Sequence, residues 1–460
     1  MSRIACVILL LLPGLLTAGD LTGRWQASID IPSWQIADAR TTLDFREHAD
    51  AVWIGRSPRL ASFRTLGFWR GLLGALARRE LRRGAWLTLS AREYPAGIFE
   101  SRIASAFLPH LDGQCRLHAE LLECEYRRQT GIFATLRARR SAEAGSHPDV
   151  ALAERIESTL RAHYHRPAAL EDAQWQAPLR LLARRMRRAR DDLDVLATWQ
   201  MLSQRFPDSH LALLRHPGGP AAADTDEAFS LRWQKSVAVL RVRNWSATPE
   251  RSAAHLRQAF EQIEARRATA LVIDLRGNGG GNLSAILLAA HLLPERSAVG
   301  YFTTRHWWST NPRAPTPATA ALRLPEFRSL DLVALQRALA DGPGVYGWVE
   351  PRTPRFERPV YLLQDRRTAS ANEPVLALLQ HTGRATLVGE TSAGAMLSSE
   401  AFEVAPGWQL RVPVADFHTP AGVRLEGRGV RPDVAVTSAK ALERALELAG
   451  VRPTAVVAQD

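Results

Sequence analysis

The sequence predicts an α/β unit built on a mainly parallel sheet, fed by a helical segment and preceded by a small β-rich domain. Three changes of pattern carry this reading. Apolar residues alternate with a period of two up to about residue 140 and recur every three or four residues between about 146 and 206. Beyond residue 228 they gather in strand-like runs separated by helical ones. A chain of 460 residues also exceeds what one hydrophobic core organises, so two or three units are expected.

Residues 1–19 open with Arg3, run apolar from Ile4 to Leu16 and end in small residues, the layout of a secretory signal peptide. The protein is therefore expected to be exported, to the periplasm or outside the cell. The apolar run falls short of the roughly 20 residues that span a bilayer, and no Cys directly follows it, so no stable membrane anchor is expected. In the β-rich domain, residues 20–140, the stretches Gly23–Ile29, Thr41–Phe45 and Ala85–Leu89 keep the period of two, as a sheet or a barrel would. Its opening Leu21-Thr-Gly-Arg-Trp25 resembles the first strand of lipocalin-like barrels. Phe63–Leu81 has helical spacing and interrupts the strands. Once Cys6 leaves with the leader, Cys115 and Cys124 remain, a close pair that suggests a disulfide, two buried free thiols being the alternative.

From 146 to 216 the spacing of Leu152, Ile156 and Leu160, and of Leu179, Leu182 and Met186, predicts helices. The Pro-, Gly- and Asp-containing stretch Pro217–Asp226 reads as a loop. Over 228–450, strands at Val237–Val242, Ala270–Asp274 and Val360–Gln364 are each followed by a helical run, near Arg251–Arg266, Leu283–Leu292 and Asn372–Gln380. Residues 301–357, with Trp307, Trp308 and many prolines, suggest a lid or a substrate-facing loop.

The formal charge of +12 comes almost wholly from arginine, Lys235 and Lys440 being the only lysines. Basic runs such as Arg184-Arg185 and Arg187-Arg188 lack interleaved aromatic residues and accompany no nucleic-acid motif, so nucleic acid is not an expected partner. No spacing among His216, His306, His381 and His418 suggests a metal site, and no cofactor is expected.

Two segments can carry chemistry. Asp274–Gly281, DLRGNGGG, ends a buried strand in a glycine-rich turn; it is either an anion cradle or a plain tight turn, and it lacks the dinucleotide spacing. Thr368–Glu373, TASANE, lies between a strand and a helix. Ser370 there is either an exposed nucleophile beside the free N–H of Ala371 or a helix N-cap.

Taken in order, DLRGNGGG, TASANE, Gly383–Ala395 (GRATLVGETSAGA) and Thr419–Val436 (TPAGVRLEGRGVRPDVAV) resemble the tail-specific or C-terminal processing proteases. Upstream, Tyr164, Trp175 and Asp208-Ser-His-Leu-Ala-Leu213 resemble the same family's helical N-terminal segment. The resemblance implies a crotonase-like α/β protease domain, peptide or protein substrates, Ser370 as nucleophile, and an oxyanion hole from Ala371 and a glycine of the Gly279–Gly281 turn, most simply Gly280. Where the lysine-dependent branch has its catalytic lysine, this chain has Gly394-Ala395. The tricorn-like branch is implied instead, with His210 as base, preceded by Ser209, and Glu426 as its acidic partner. Glu426 could alternatively pair with Arg424 or Arg428 on a surface hairpin. Glu373 and Asp274 are assigned to structure.

No PDZ insert is expected in the short interval between Leu213 and Phe229. The rival of another class is a non-catalytic ligand- or lipid-binding protein on the protease scaffold, with the β-rich domain holding the ligand. An unperturbed imidazole base would lose activity as pH falls through about 6–7.

Overall fold

The structure, a computed structural model, describes residues 20–48, 52–57, 87–94, 97–105, 110–128, 131–141, 151–189, 191–215 and 228–451. The expected leader over 1–19, the helix at Phe63–Leu81, the loop at Pro217–Asp226 and His216 lie outside the described residues. Among the described residues no helix is long and apolar enough to cross a membrane. The chain divides into two compact units. One holds the residues up to Leu152, together with Arg184–Met201 and Leu214–Gly219; the other holds the rest.

The first unit resolves the choice between sheet and barrel. Eight strands, β1 (Gly23–Ile31), β2 (Ile36–His48), β3 (Val52–Arg56), β4 (Leu87–Glu93), β5 (Ile98–Ser105), β6 (Leu111–His118), β7 (Leu121–Arg128) and β8 (Gly131–Arg140), follow one another round a ring. Strand β1 pairs antiparallel with both β2 and β8, which closes the ring and leaves no open edge. One buried cluster draws on every strand, including Trp25, Phe45, Trp53, Phe99, Leu122, Tyr126 and Leu136. These side chains pack together inside the ring.

Cys115 and Cys124 stand opposite each other on β6 and β7 and are joined in a disulfide, both buried in this core. The helix Asp192–Leu202 adds Leu193 and Ala197 to the same cluster.

Helices α1 (Leu152–His163) and α2 (Ala173–Met186) lie mostly in the second unit; the turn bearing Ser209 and His210 also belongs to it and leads into β9 (Ala212–Arg215), whose last two residues belong to the first. A six-stranded sheet follows, in the order β10 (Phe229–Gln234), β11 (Val237–Val242), β12 (Ala270–Asp274), β16 (Val360–Gln364), β17 (Thr386–Gly389), β20 (Val434–Ala435). Only β10 and β11 are antiparallel; every other neighbour is parallel. Both faces are covered, as a parallel sheet requires. Ala238, Leu240, Leu271 and Ile273 pack with helices at Pro249–Ala265 and Asn372–His381. Val237, Val239, Ala270 and Val272 pack with the helix Ala441–Leu448.

A mostly antiparallel second layer departs from the expectation of one sheet. Strand β13 (Ser297–Thr304) pairs antiparallel with β15 (Gly344–Val349) and β19 (Trp408–His418), β19 pairs antiparallel with β18 (Leu397–Ala405), and the short β14 (Glu326–Phe327) runs parallel to β15. Residues 301–357 are thus largely built into regular elements, with Trp307 buried among Tyr301, Ala320, Leu324 and Tyr346. Buried aromatic area explains why this Trp- and Pro-rich stretch packs around Trp307.

Candidate active site

Ser370 sits where β16 turns into the helix Asn372–His381. The turn is braced from below: Thr368 is fully buried and its hydroxyl donates to the Leu275 carbonyl at 3.0 Å. Asn372, also buried, donates to the Asn278 carbonyl and accepts from the Trp245 indole, which ties this turn to the glycine-rich one. Ser370 itself has φ +57°, a left-handed conformation that an L-residue with a side chain adopts only when its surroundings impose it. Its N–H donates to the Ala395 carbonyl at 2.9 Å, and Glu373, 0 % exposed, lies under it. The Glu373 carboxylate collects the Ser392 hydroxyl and the N–H groups of Gly394 and Ala395 at 2.6–2.8 Å, with the Ser370 N–H at 3.3 Å. Burial pushes its pKa up against these donors. Glu373 thus acts as a structural brace, fixing the loop that carries Ala395 against the turn that carries Ser370.

His210 also has a left-handed backbone, at φ +59°. Its Nε2 lies 3.2 Å from Ser370 Oγ and its Nδ1 lies 2.7 Å from Ser209 Oγ. The Ser209 hydroxyl donates to Glu426 Oε2 at 2.9 Å, and the Ser209 and Met396 N–H groups donate to the same carboxylate at 2.6 Å. These contacts assign the protons. A carboxylate can only accept, so Ser209 gives its hydroxyl hydrogen to Glu426 and accepts from His210 Nδ1–H. The lone pair of Nε2 is then left facing Ser370.

Burial, with Arg411 nearby, pushes the His210 pKa down to about 4, so the ring is neutral near pH 7. Burial pushes Glu426 the other way, upward, against the donors from Ser209 and Met396. Glu426 is 3 % exposed and its carboxylate takes no arginine, contrary to the surface-hairpin alternative. Arg424 reaches only its backbone carbonyl, at 3.4 Å. Asp208, which precedes Ser209, is missed by sequence reasoning as a site component. Burial would raise its pKa, but His165, Tyr164 and Arg424 hold it at about 2.

Gly280, at φ +96°, lies against Ser370: a Cβ there would meet Ser370 Cβ at 2.6 Å and the Ala371 nitrogen at 3.1 Å. Its N–H is engaged, however, donating to Asn278 Oδ1 at 2.9 Å. The Ala371 N–H has no partner among the described residues. Lys235 lies in the β10–β11 turn and Lys440 beside the start of the C-terminal helix, neither among the partners of Ser370. His418 is buried and stacked on Tyr301, and His306 Nδ1 lies 3.2 Å from the Gly342 carbonyl. Among the described residues no group of three or more His, Cys, Asp or Glu could hold a metal ion.

Residues 236–436 match the family model described as peptidase family S41. Among curated proteins, the carboxyl-terminal-processing protease of a Synechocystis species is 29 % identical over 217 residues, 47 % of this chain and 41 % of that one. The chloroplastic C-terminal processing peptidase of Tetradesmus obliquus is 27 % identical over 177 residues, 38 % and 31 % of the two chains. The chain thus spans 41 % and 31 % of the length of these two relatives. A solved structure of a putative peptidase from Parabacteroides merdae superposes with a TM-score of 0.46 at 15 % identity, over 66 % of this chain and 97 % of that one, too loose a likeness to carry weight. Residues 236–436, rather less than half of the chain, are thus similar to peptidase family S41, and the curated relatives that share the likeness are named carboxyl-terminal-processing proteases.

Proposed function

We propose that the protein is an exported serine peptidase that hydrolyses peptide bonds through an acyl-enzyme at Ser370, with His210 as general base, in the tricorn-like manner and on a crotonase-like domain. The observation that carries this is the unbroken chain Ser370 Oγ, His210, Ser209, Glu426, each link within hydrogen-bond distance. Its histidine arm lies upstream of the residues that match the family, so geometry supports it independently of that match.

Ser370 Oγ attacks the substrate carbonyl carbon while its proton passes to His210 Nε2. The imidazolium so formed keeps its Nδ1–H on Ser209, whose hydroxyl remains on the Glu426 carboxylate; the acidic charge reaches the ring through one intervening hydroxyl. The Ala371 N–H receives the oxyanion, joined by Gly280 if the developing charge draws that N–H from Asn278. Collapse breaks the C–N bond, and His210 returns the proton to the leaving amine. A water, deprotonated by the same nitrogen, then cleaves the ester and restores Ser370.

The test is labelling of the intact protein with a fluorophosphonate probe. Wild type should label and Ser370→Ala should not; a folded wild-type protein that stays unlabelled would reject the reading.

A further inference from the structure

Behind the relay lies a buried charged cluster that the reaction itself does not use. Arg424 directs three nitrogens to three parts of the chain. Its Nε donates to Asp416 Oδ2 at 2.7 Å, one terminal nitrogen to Asp208 Oδ1 at 3.3 Å, and the other to the Glu426 carbonyl at 3.4 Å. Asp208 accepts the Tyr164 hydroxyl on its second oxygen, with His165 Nε2 at 3.5 Å. The Asp208 and Asp416 side chains are only 7 % and 2 % exposed, so both charges depend on the guanidinium for compensation.

The placement matters because of what the relay requires. Ser209 and Glu426 lie 217 residues apart in sequence and must meet with two short hydrogen bonds. Neither lies in a helix or strand, and His210 holds a backbone conformation that its own chemistry disfavours. Some tertiary contact has to bring the two segments together. Arg424 grips the residue before Ser209 and the backbone of Glu426 with one rigid planar group, while Asp416 anchors that group to β19. A lysine could supply the charge but, as a single flexible point donor, not the three directions at once.

We propose that Arg424 is the positioning residue of the relay, setting the Ser209–Glu426 contact and through it the orientation of His210. This rests on the peptidase reading above.

The experiment compares wild type, Arg424→Lys and Arg424→Ala, each also in a Glu426→Gln background, by circular dichroism and by the rate and concentration dependence of fluorophosphonate labelling. Arg424→Lys is expected to fold and to lose about a hundredfold in maximal labelling rate with an unchanged half-saturating probe concentration. Added guanidinium should restore part of the rate in a folded Arg424→Ala. With Glu426 already replaced, Arg424→Lys should cost less than about twofold, because its effect passes through that residue. Wild-type labelling by Arg424→Lys, or an equal loss in both backgrounds, overturns the proposal. Where Arg424→Ala does not fold, the two lysine variants still decide it. A wild-type protein that itself fails to label would instead reject the peptidase reading.

Discussion

The barrel and the second unit solve the same problem, burying a core, but they place their awkward groups differently. In the barrel the left-handed non-glycine Ala119 lies in the β6–β7 turn, exposed, where such a backbone is a local device. In the second unit the left-handed His210 and Ser370 face each other at 3.2 Å, each held by contacts from distant parts of the chain. The Arg102–Asp112 pair of the barrel is 61 % and 74 % exposed and adds little, whereas Arg424 binds two buried carboxylates. Buried charge is not confined to the second unit, since in the first Arg215 binds Asp192 at 3.0 Å with both side chains largely buried; what sets the second unit apart is that two left-handed residues meet where chemistry is proposed.

The largest effect that would break this contrast is chemical. His210→Ala should slow probe labelling by several orders of magnitude, on the order of 10⁴-fold or more and comparable to Ser370→Ala, because the groups act as a unit. Glu426→Gln should cost less, since it orients the ring through Ser209 and transfers no proton. Labelling rates of the purified variants check both. Undiminished labelling of His210→Ala would remove the relay and leave the two left-handed residues without a common purpose.

The parts of this site legible in the sequence were those held by short ordered motifs. Ser370, His210, Ser209 and Glu426 could be named from short segments, and around Ser370 residues also brace themselves locally, Thr368 accepting from the Asp365 N–H and Asn372 donating to the Ala369 carbonyl. Four features were not legible. Barrel closure through the β1–β8 pair joins the ends of a run of strands, and a period of two does not say which strand meets which. The layer of β13, β15, β18 and β19 comes from pairings across up to about a hundred residues, which local spacing cannot encode. Arg424 looked like a partner for the Glu426 carboxylate because it stands two residues away; the turn sends its guanidinium to Asp416 and Asp208 instead. The occupied N–H of Gly280 likewise depends on the rotamer of Asn278, which a motif does not specify.

Next in size is the disulfide. Cys115 and Cys124 are nine residues apart, and closing so short a loop stabilises the folded state by about 2–3 kcal/mol on the chain-entropy estimate. Reduction should lower the barrel's melting transition by that equivalent while the probe-labelling rate at 25 °C is unchanged, since no residue of the relay belongs to the barrel unit. Loss of labelling in parallel with the barrel transition would show that the contrast between the two regions is not one of function.

The pH profile sharpens the side of the second unit. Burial lowers the His210 pKa to about 4, and a lowered pKa keeps the ring neutral, and able to accept the Ser370 proton, to more acidic pH than an ordinary imidazole near 6.5. The raised pKa of Glu426 sets a second loss on the acid side, where protonation would cost the relay its acceptor. Labelling should therefore hold roughly level from pH 8 down through the ordinary imidazole range and be lost only at more acidic pH, at the latest as the His210 ring protonates near about 4. A midpoint at the ordinary imidazole value would mean that His210 is better solvated than its burial implies.

The smallest effect tests whether strain in the barrel is incidental. Ala119 has φ +53° and an exposed side chain, so its Cβ suffers the left-handed clash and gains no packing in return. That clash costs roughly 1–2 kcal/mol, and glycine removes it while adding back some entropy to the unfolded chain. Ala119→Gly should therefore stabilise the barrel by about 0.5–1 kcal/mol, seen as a higher denaturation midpoint, with labelling unchanged. Ser370→Gly relieves the same backbone clash in the second unit, but it also deletes the attacking oxygen, so any stability gained there must come with complete loss of labelling. If Ala119→Gly instead destabilises, the β6–β7 turn is held in its conformation by contacts beyond the local backbone, and the barrel's strain is of the same tertiary kind as that at Ser370.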